Sequence, residues 1–155
     1  MAVRALIPQL TATLDQMRAR MERRAYAPGD VIIGQGTLDP EFHVVVDGLV
    51  SVEASGMRGR RRELGTLGPG DAIGDMALLT GDPASADVIA SSPVSTYAIS
   101  RERLIALGDL RAQLMEALAQ LLAVRLRHAN ERLIAERSAE QHAIAVAPPV
   151  LPALS

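Results

Sequence analysis

The chain has 155 residues, enough for one domain of ordinary size that buries a core without covalent staples. It contains no cysteine, which excludes disulfides, thiol nucleophiles and thiolate metal sites. All 16 basic residues are arginines, yet 18 acids leave a net charge of −2, so the basic footprint of a nucleic-acid binder is missing, and with only Tyr26, Phe42 and Tyr97 as aromatics so are base-stacking platforms.

At the amino terminus, Ile7, Leu10, Leu14, Met17 and Met21 recur at steps of three and four, which predicts an amphipathic helix over 1–22 that Pro8 opens. Its apolar stripe suits packing on the following domain or self-association. From Tyr26 the pattern changes to short β-type runs: 31–33, 42–46, 49–52, 63–67, 86–90 and 94–99. Turn signals separate them at Pro28-Gly29-Asp30, Asp47-Gly48 and Gly68-Pro69-Gly70-Asp71. Such spacing predicts an antiparallel barrel or roll. The arginine-rich segment 55–62 reads as an exposed hairpin loop.

After Ser100 the helical period returns with Leu104 and Leu107, then a long helix from Leu110 to about Arg137 bearing Leu114, Leu118, Leu121, Leu122, Leu126, Ala129 and Leu133. These cover two adjacent stripes, wide enough for one to touch the roll and the other a partner, so a homodimer or docking to a larger protein is expected. Residues 138–155, with Pro148, Pro149 and Pro152, are expected to form a flexible tail.

The segment 74–86, Gly-Asp-Met-Ala-Leu-Leu-Thr-Gly-Asp-Pro-Ala-Ser-Ala, resembles the phosphate-binding cassette of cyclic-nucleotide-binding domains. Four further pieces stand in the family's order: 26–32, Gln35-Gly36, 42–48 and 64–71. The resemblance covers about residues 22 to 137 and implies an α+β fold: an eight-stranded antiparallel, jelly-roll-like β-roll flanked by an amino-terminal helix and, at the carboxy end, by two helices, the last one long. It places the domain at 23–137.

The same resemblance supplies candidate ligand-binding residues: Gly74, Asp75, Met76, Ala77, Ala84, Ser85, Ala86 and, on the long helix, Asn130, whose amide suits a purine edge. Two of them depart from the family. Asp75 stands where the family has Glu for the ribose hydroxyl, and Ala84 stands where it has the arginine that grips the cyclic phosphate. Ser85 and the backbone amides of Met76 and Ala77 remain as neutral donors. Losing one partner of a buried charged pair costs about 2–5 kcal/mol, so cyclic AMP or cyclic GMP is expected to bind weakly or not at all. Asp87, if turned inward, would repel a phosphate further.

The transcription factors of this family continue into a helix-turn-helix, whereas the residues after Arg137 are too few and too rich in proline to build one. No nucleic-acid partner is therefore expected. The segment 121–130 resembles the end of such domains appended to bacterial sulfate-permease-type transporters. His43, His128 and His142 are scattered and form neither a metal-ligand set nor a triad, so no catalytic residue, metal or resident cofactor is expected. With no run near the roughly 20 apolar residues of a membrane span and no signal-peptide pattern, a cytoplasmic setting without direct membrane insertion is expected.

Overall fold

A computed structural model describes residues 8–146. In chain order they form α1 (Pro8–Met17), β1 (Glu22–Tyr26), β2 (Val31–Ile33), β3 (Phe42–Asp47), β4 (Val50–Ser55), β5 (Arg61–Leu67), β6 (Ala72–Ile73), α2 (Asp75–Thr80), β7 (Asp87–Ala90), β8 (Val94–Ile99), α3 (Arg101–Ile105) and α4 (Asp109–Val146). The eight strands make two four-stranded antiparallel sheets, one ordered β1-β8-β3-β6 and the other β2-β7-β4-β5. This is the expected β-roll with its flanking helices.

Alternation along the strands decides what fills the roll. Val45 and Ile73 from the first sheet meet Ile33, Val50, Val88 and Ala90 from the second in one buried cluster, completed by Val94. Two of the turns share one design: the Asp30 amide donates to the Ala27 carbonyl and the Asp71 amide to that of Gly68, while each aspartate carboxylate accepts from the amide three residues back. On the outer face of the first sheet, α1 buries Leu10, Leu14 and Met17, and the Arg18 guanidinium lies 5.2 Å from the centre of the Tyr97 ring.

Three boundaries differ from the sequence reading. The amino-terminal helix ends at Met17, followed by a 3₁₀ turn at Arg18–Arg20, so Met21 is extended rather than helical; Ile7 lies outside the described residues. Strands β1 and β6 add to the six runs read from the sequence. Strand β1, Glu-Arg-Arg-Ala-Tyr, has a neighbour on one side only and carries charges on both faces, while β6 has two residues, too few to alternate. Finally, the last helix does not stop near Arg137 but runs to Val146, so residues 138–146 are helical rather than tail. Their alanine, glutamate and glutamine content favours helix up to the neighbourhood of Pro148. Residues 147–155 lie outside the described part.

By its internal contacts the chain divides into two units, 1–121 and 122–155. In the first, α3 buries Leu104 and the start of α4 buries Leu114, Ala117, Leu118 and Leu121. In the second, α4 exposes Leu126, Leu133, Ile134 and Ile144. No helix among the described residues is long and apolar enough to cross a membrane.

Candidate functional site

The cassette begins with a backbone constraint. Gly74 caps α2 at φ +84°, and a Cβ there would lie 2.8 Å from the Glu41 carbonyl oxygen, so a side chain is excluded by conformation and by space. The first helical bond runs from the Leu78 amide to the Gly74 carbonyl at 3.1 Å, leaving the amides of Asp75, Met76 and Ala77 ahead of the ladder. Asp75 is buried in the first turn, where its carboxylate complements the positive end of the helix; the cap itself is the glycine. Ala77 is buried and Met76 exposed. Gly81 closes α2 by donating to the Ala77 carbonyl at 2.9 Å.

Beyond α2, Ala84 is half-buried and packs against the core cluster of the roll. Its amide donates to the Thr37 carbonyl at 2.9 Å and its carbonyl accepts from Gly36 at 2.8 Å, which ties the cassette exit to the loop after β2. Ser85 is exposed and Ala86 buried. The structure thus gathers Gly74, Asp75, Met76, Ala77, Ala84, Ser85 and Ala86 into one region of the first unit. Asn130 belongs to the second unit, as an exposed residue of α4.

The direction of Asp87, open from sequence, is settled by its partners. Val88 and Ala90 point into the core, so Asp87 faces the opposite side of β7. There its carboxylate accepts from the Gln35 amide at 2.6 Å and pairs with Arg61 at 2.9 Å. Arg61 also bonds Glu53 at 2.6 Å, and this hydrogen bond is the main reason its guanidinium holds its proton above the ordinary arginine value. Within the arginine-rich segment read as an exposed hairpin loop, Arg61 is therefore pinned. Among the described residues, the side chains of Arg58, Arg60 and Arg62 form no ion pair.

The first sheet places a different polar group inside. His43 is buried, its Nδ1 3.0 Å from the Thr96 hydroxyl and its ring edge-on to Tyr26 at 6.3 Å. Burial pushes its pKa down to about 4, so the ring is neutral near pH 7. Among the described residues no group of three or more His, Asp or Glu is placed to hold a metal.

Comparison with known proteins agrees with this geometry. The family profile described as "Cyclic nucleotide-binding domain" matches residues 23–109. The chain is 34% identical over 120 residues to the cyclic AMP receptor protein of Thermus thermophilus, covering 77% of this chain and 56% of that protein. It is 32% identical over 120 residues to the cAMP-dependent protein kinase regulatory subunit of Mycosarcoma maydis, covering 77% of this chain and 22% of the subunit. The crystal structure of the Thermus thermophilus catabolite activator protein superposes with a TM-score of 0.69 at 32% identity, over 81% of this chain and 59% of that one. The chain spans about half the length of the receptor and less of the kinase subunit. On the match over residues 23–109 and the two-sheet roll that carries it, the chain belongs to the cyclic-nucleotide-binding domain family.

Proposed function

We propose that this regulatory domain binds ordinary cyclic AMP or cyclic GMP weakly or not at all through its cassette, and that it acts through α4 as a dimer or docking element. The observation that supports it is Ala84. At the position where the resemblance expects a guanidinium, a methyl group packs on the roll core. A guanidinium gives a phosphate planar, charge-assisted bonds that neither the methyl group nor the nearby amides replace. Cyclic AMP is the ligand to test first, because the receptor and the kinase subunit named above are both named for it.

Calorimetric titration of the parent chain and of Ala84→Arg with both cyclic nucleotides tests the cassette. The variant is expected to bind about 30-fold or more tighter than the parent. Micromolar binding by the parent, unchanged in the variant, refutes the reading.

The output rests on the apolar residues that α4 exposes in the second unit. Leu122, Leu126, Ala129 and Leu133 follow steps of four, three and four, the spacing of a helix-pairing seam, and Leu126 is 63% exposed. Sedimentation of the parent against Leu126→Glu/Leu133→Glu measures it. If the parent self-associates, the variant is expected to be monomeric; a dimer that survives both charges rules out this seam.

A further inference from the structure

The hairpin of β4 and β5 carries arginines that face two ways. Strand β4 has no irregularity of its own, so Val50, Val52 and Ala54 share the inner face of the sheet with the core residue Val88, and Ser51, Glu53 and Ser55 share the outer one. Arg61 pairs with Ser55 in register, and its ion pairs to Glu53 and Asp87 confirm the outer assignment. Arg62 pairs with Ala54, which sets it on the inner face. One row nearer the tip, Gly56 donates to the Arg60 carbonyl at 2.9 Å, which gives Arg60 the same parity as Arg62.

The rows continue across the sheet. The pairing of β4 with β7 ends at Glu53 with Asp87, the first residue of β7, and the buried Ala86 immediately precedes it. Arg62 and Ala54 are thus in register on neighbouring strands, and Ala86 lies one residue outside the Glu53–Asp87 pair that borders Ala54. The floor between is methyl groups. A second tie holds the hairpin end near the cassette exit. The Gln35 side chain accepts from the Ser55 amide at 2.9 Å and donates to the Ser55 carbonyl at 3.3 Å, while Gly36 and Thr37 bond the backbone of Ala84.

We propose that Arg62, with Arg60 beside it, supplies from β5 the guanidinium that position 84 lacks, seating the anionic group of a nucleoside phosphate over Ala54 and Ala86 rather than on the cassette. A planar guanidinium beside an apolar floor suits a phosphate that brings its own charge to an otherwise neutral mouth. Asp87, held outward by Arg61 and the Gln35 amide, offers this seat no repulsion from within. The inference rests on the reading that the cassette itself has no cationic grip.

The test is an NMR titration of the full chain with cyclic AMP into the millimolar range, for the parent, Arg62→Gln, Arg58→Gln and Ala84→Arg. Arg58→Gln removes the same charge from the hairpin tip. The seat predicts weak binding by the parent, weakened about tenfold by Arg62→Gln and less than about twofold by Arg58→Gln. Equal losses in both would mean a diffuse field and overturn the seat. A silent parent beside a binding Ala84→Arg also overturns it, while leaving the disarmed cassette intact. Micromolar binding abolished by Arg62→Gln supports the seat and removes the weak-binding reading; micromolar binding indifferent to Arg62 removes both. Thermal melts of Arg62→Gln and Arg58→Gln, expected to match the parent because both arginines are exposed, separate binding losses from unfolding.

Discussion

The two sheets of the roll treat polar groups in opposite ways. In the first, His43 and Thr96 are sealed inside and satisfy one another, with the ring of Tyr26 alongside. In the second, the inner face toward the cassette carries Ala54 with Arg62 beside it at the exposed rim, while on the outer face Arg61 joins Glu53 to Asp87. One sheet has settled its polar groups and the other has kept its inner mouth neutral. A buried polar pair is held by the fold and answers to pH, whereas a neutral mouth leaves binding to whatever cation borders it.

The largest effect expected from this contrast is on stability against acid. His43 has its pKa lowered to about 4 by burial, from 6.5, so between those values the unfolded chain binds a proton that the folded chain refuses. The histidine's contribution is fully present above pH 6.5 and is lost as pH falls toward 4, by about 3 kcal/mol in all. Urea unfolding at pH 7 and pH 4, for the parent and for His43→Asn, isolates this from the carboxylates. The parent should lose about 3 kcal/mol more than the variant. Parallel losses would show that the ring is not held neutral, and the contrast between the sheets would weaken.

Legibility from sequence followed the same division. Runs with strong alternation or an apolar block, such as Phe42–Asp47 and Val94–Ile99, were plain because both faces are constrained by packing. Strand β1 was not, because an edge strand of charged residues is specified by its five-residue register with β8 rather than by its own pattern. The cassette-like segment was legible as a string of turn glycines around Asp75, and the alanine at position 84 stands in the sequence itself. The outward turn of Asp87 and the split of Arg61 from Arg62 could not, since both depend on pairing between strands separated by more than 20 residues along the chain or on a bulge within the hairpin. The extent of α4 exceeds the sequence expectation for a local reason: the nine residues from Ser138 to Val146 carry good helix formers and no breaker, and Pro148 and Pro149 lie beyond them.

A smaller effect is expected where the cassette meets the first sheet. Gly74 and Gly81 bracket α2, both with positive φ, at +84° and +76°. They differ in surroundings: a Cβ at Gly74 meets the Glu41 carbonyl oxygen at 2.8 Å, while one at Gly81 meets nothing within 4 Å. Alanine at either site carries the left-handed strain of about 1–2 kcal/mol, and only at Gly74 is a close backbone contact added. Gly74→Ala should therefore lower unfolding stability by about 2–3 kcal/mol and Gly81→Ala by about 1 kcal/mol, measured by urea titration at pH 7. The difference between the two variants reads the contact that fixes the start of the cassette against β3. Equal losses would mean that α2 gives way without cost, so that the neutral mouth is set by the cassette alone and not by its seat on the first sheet.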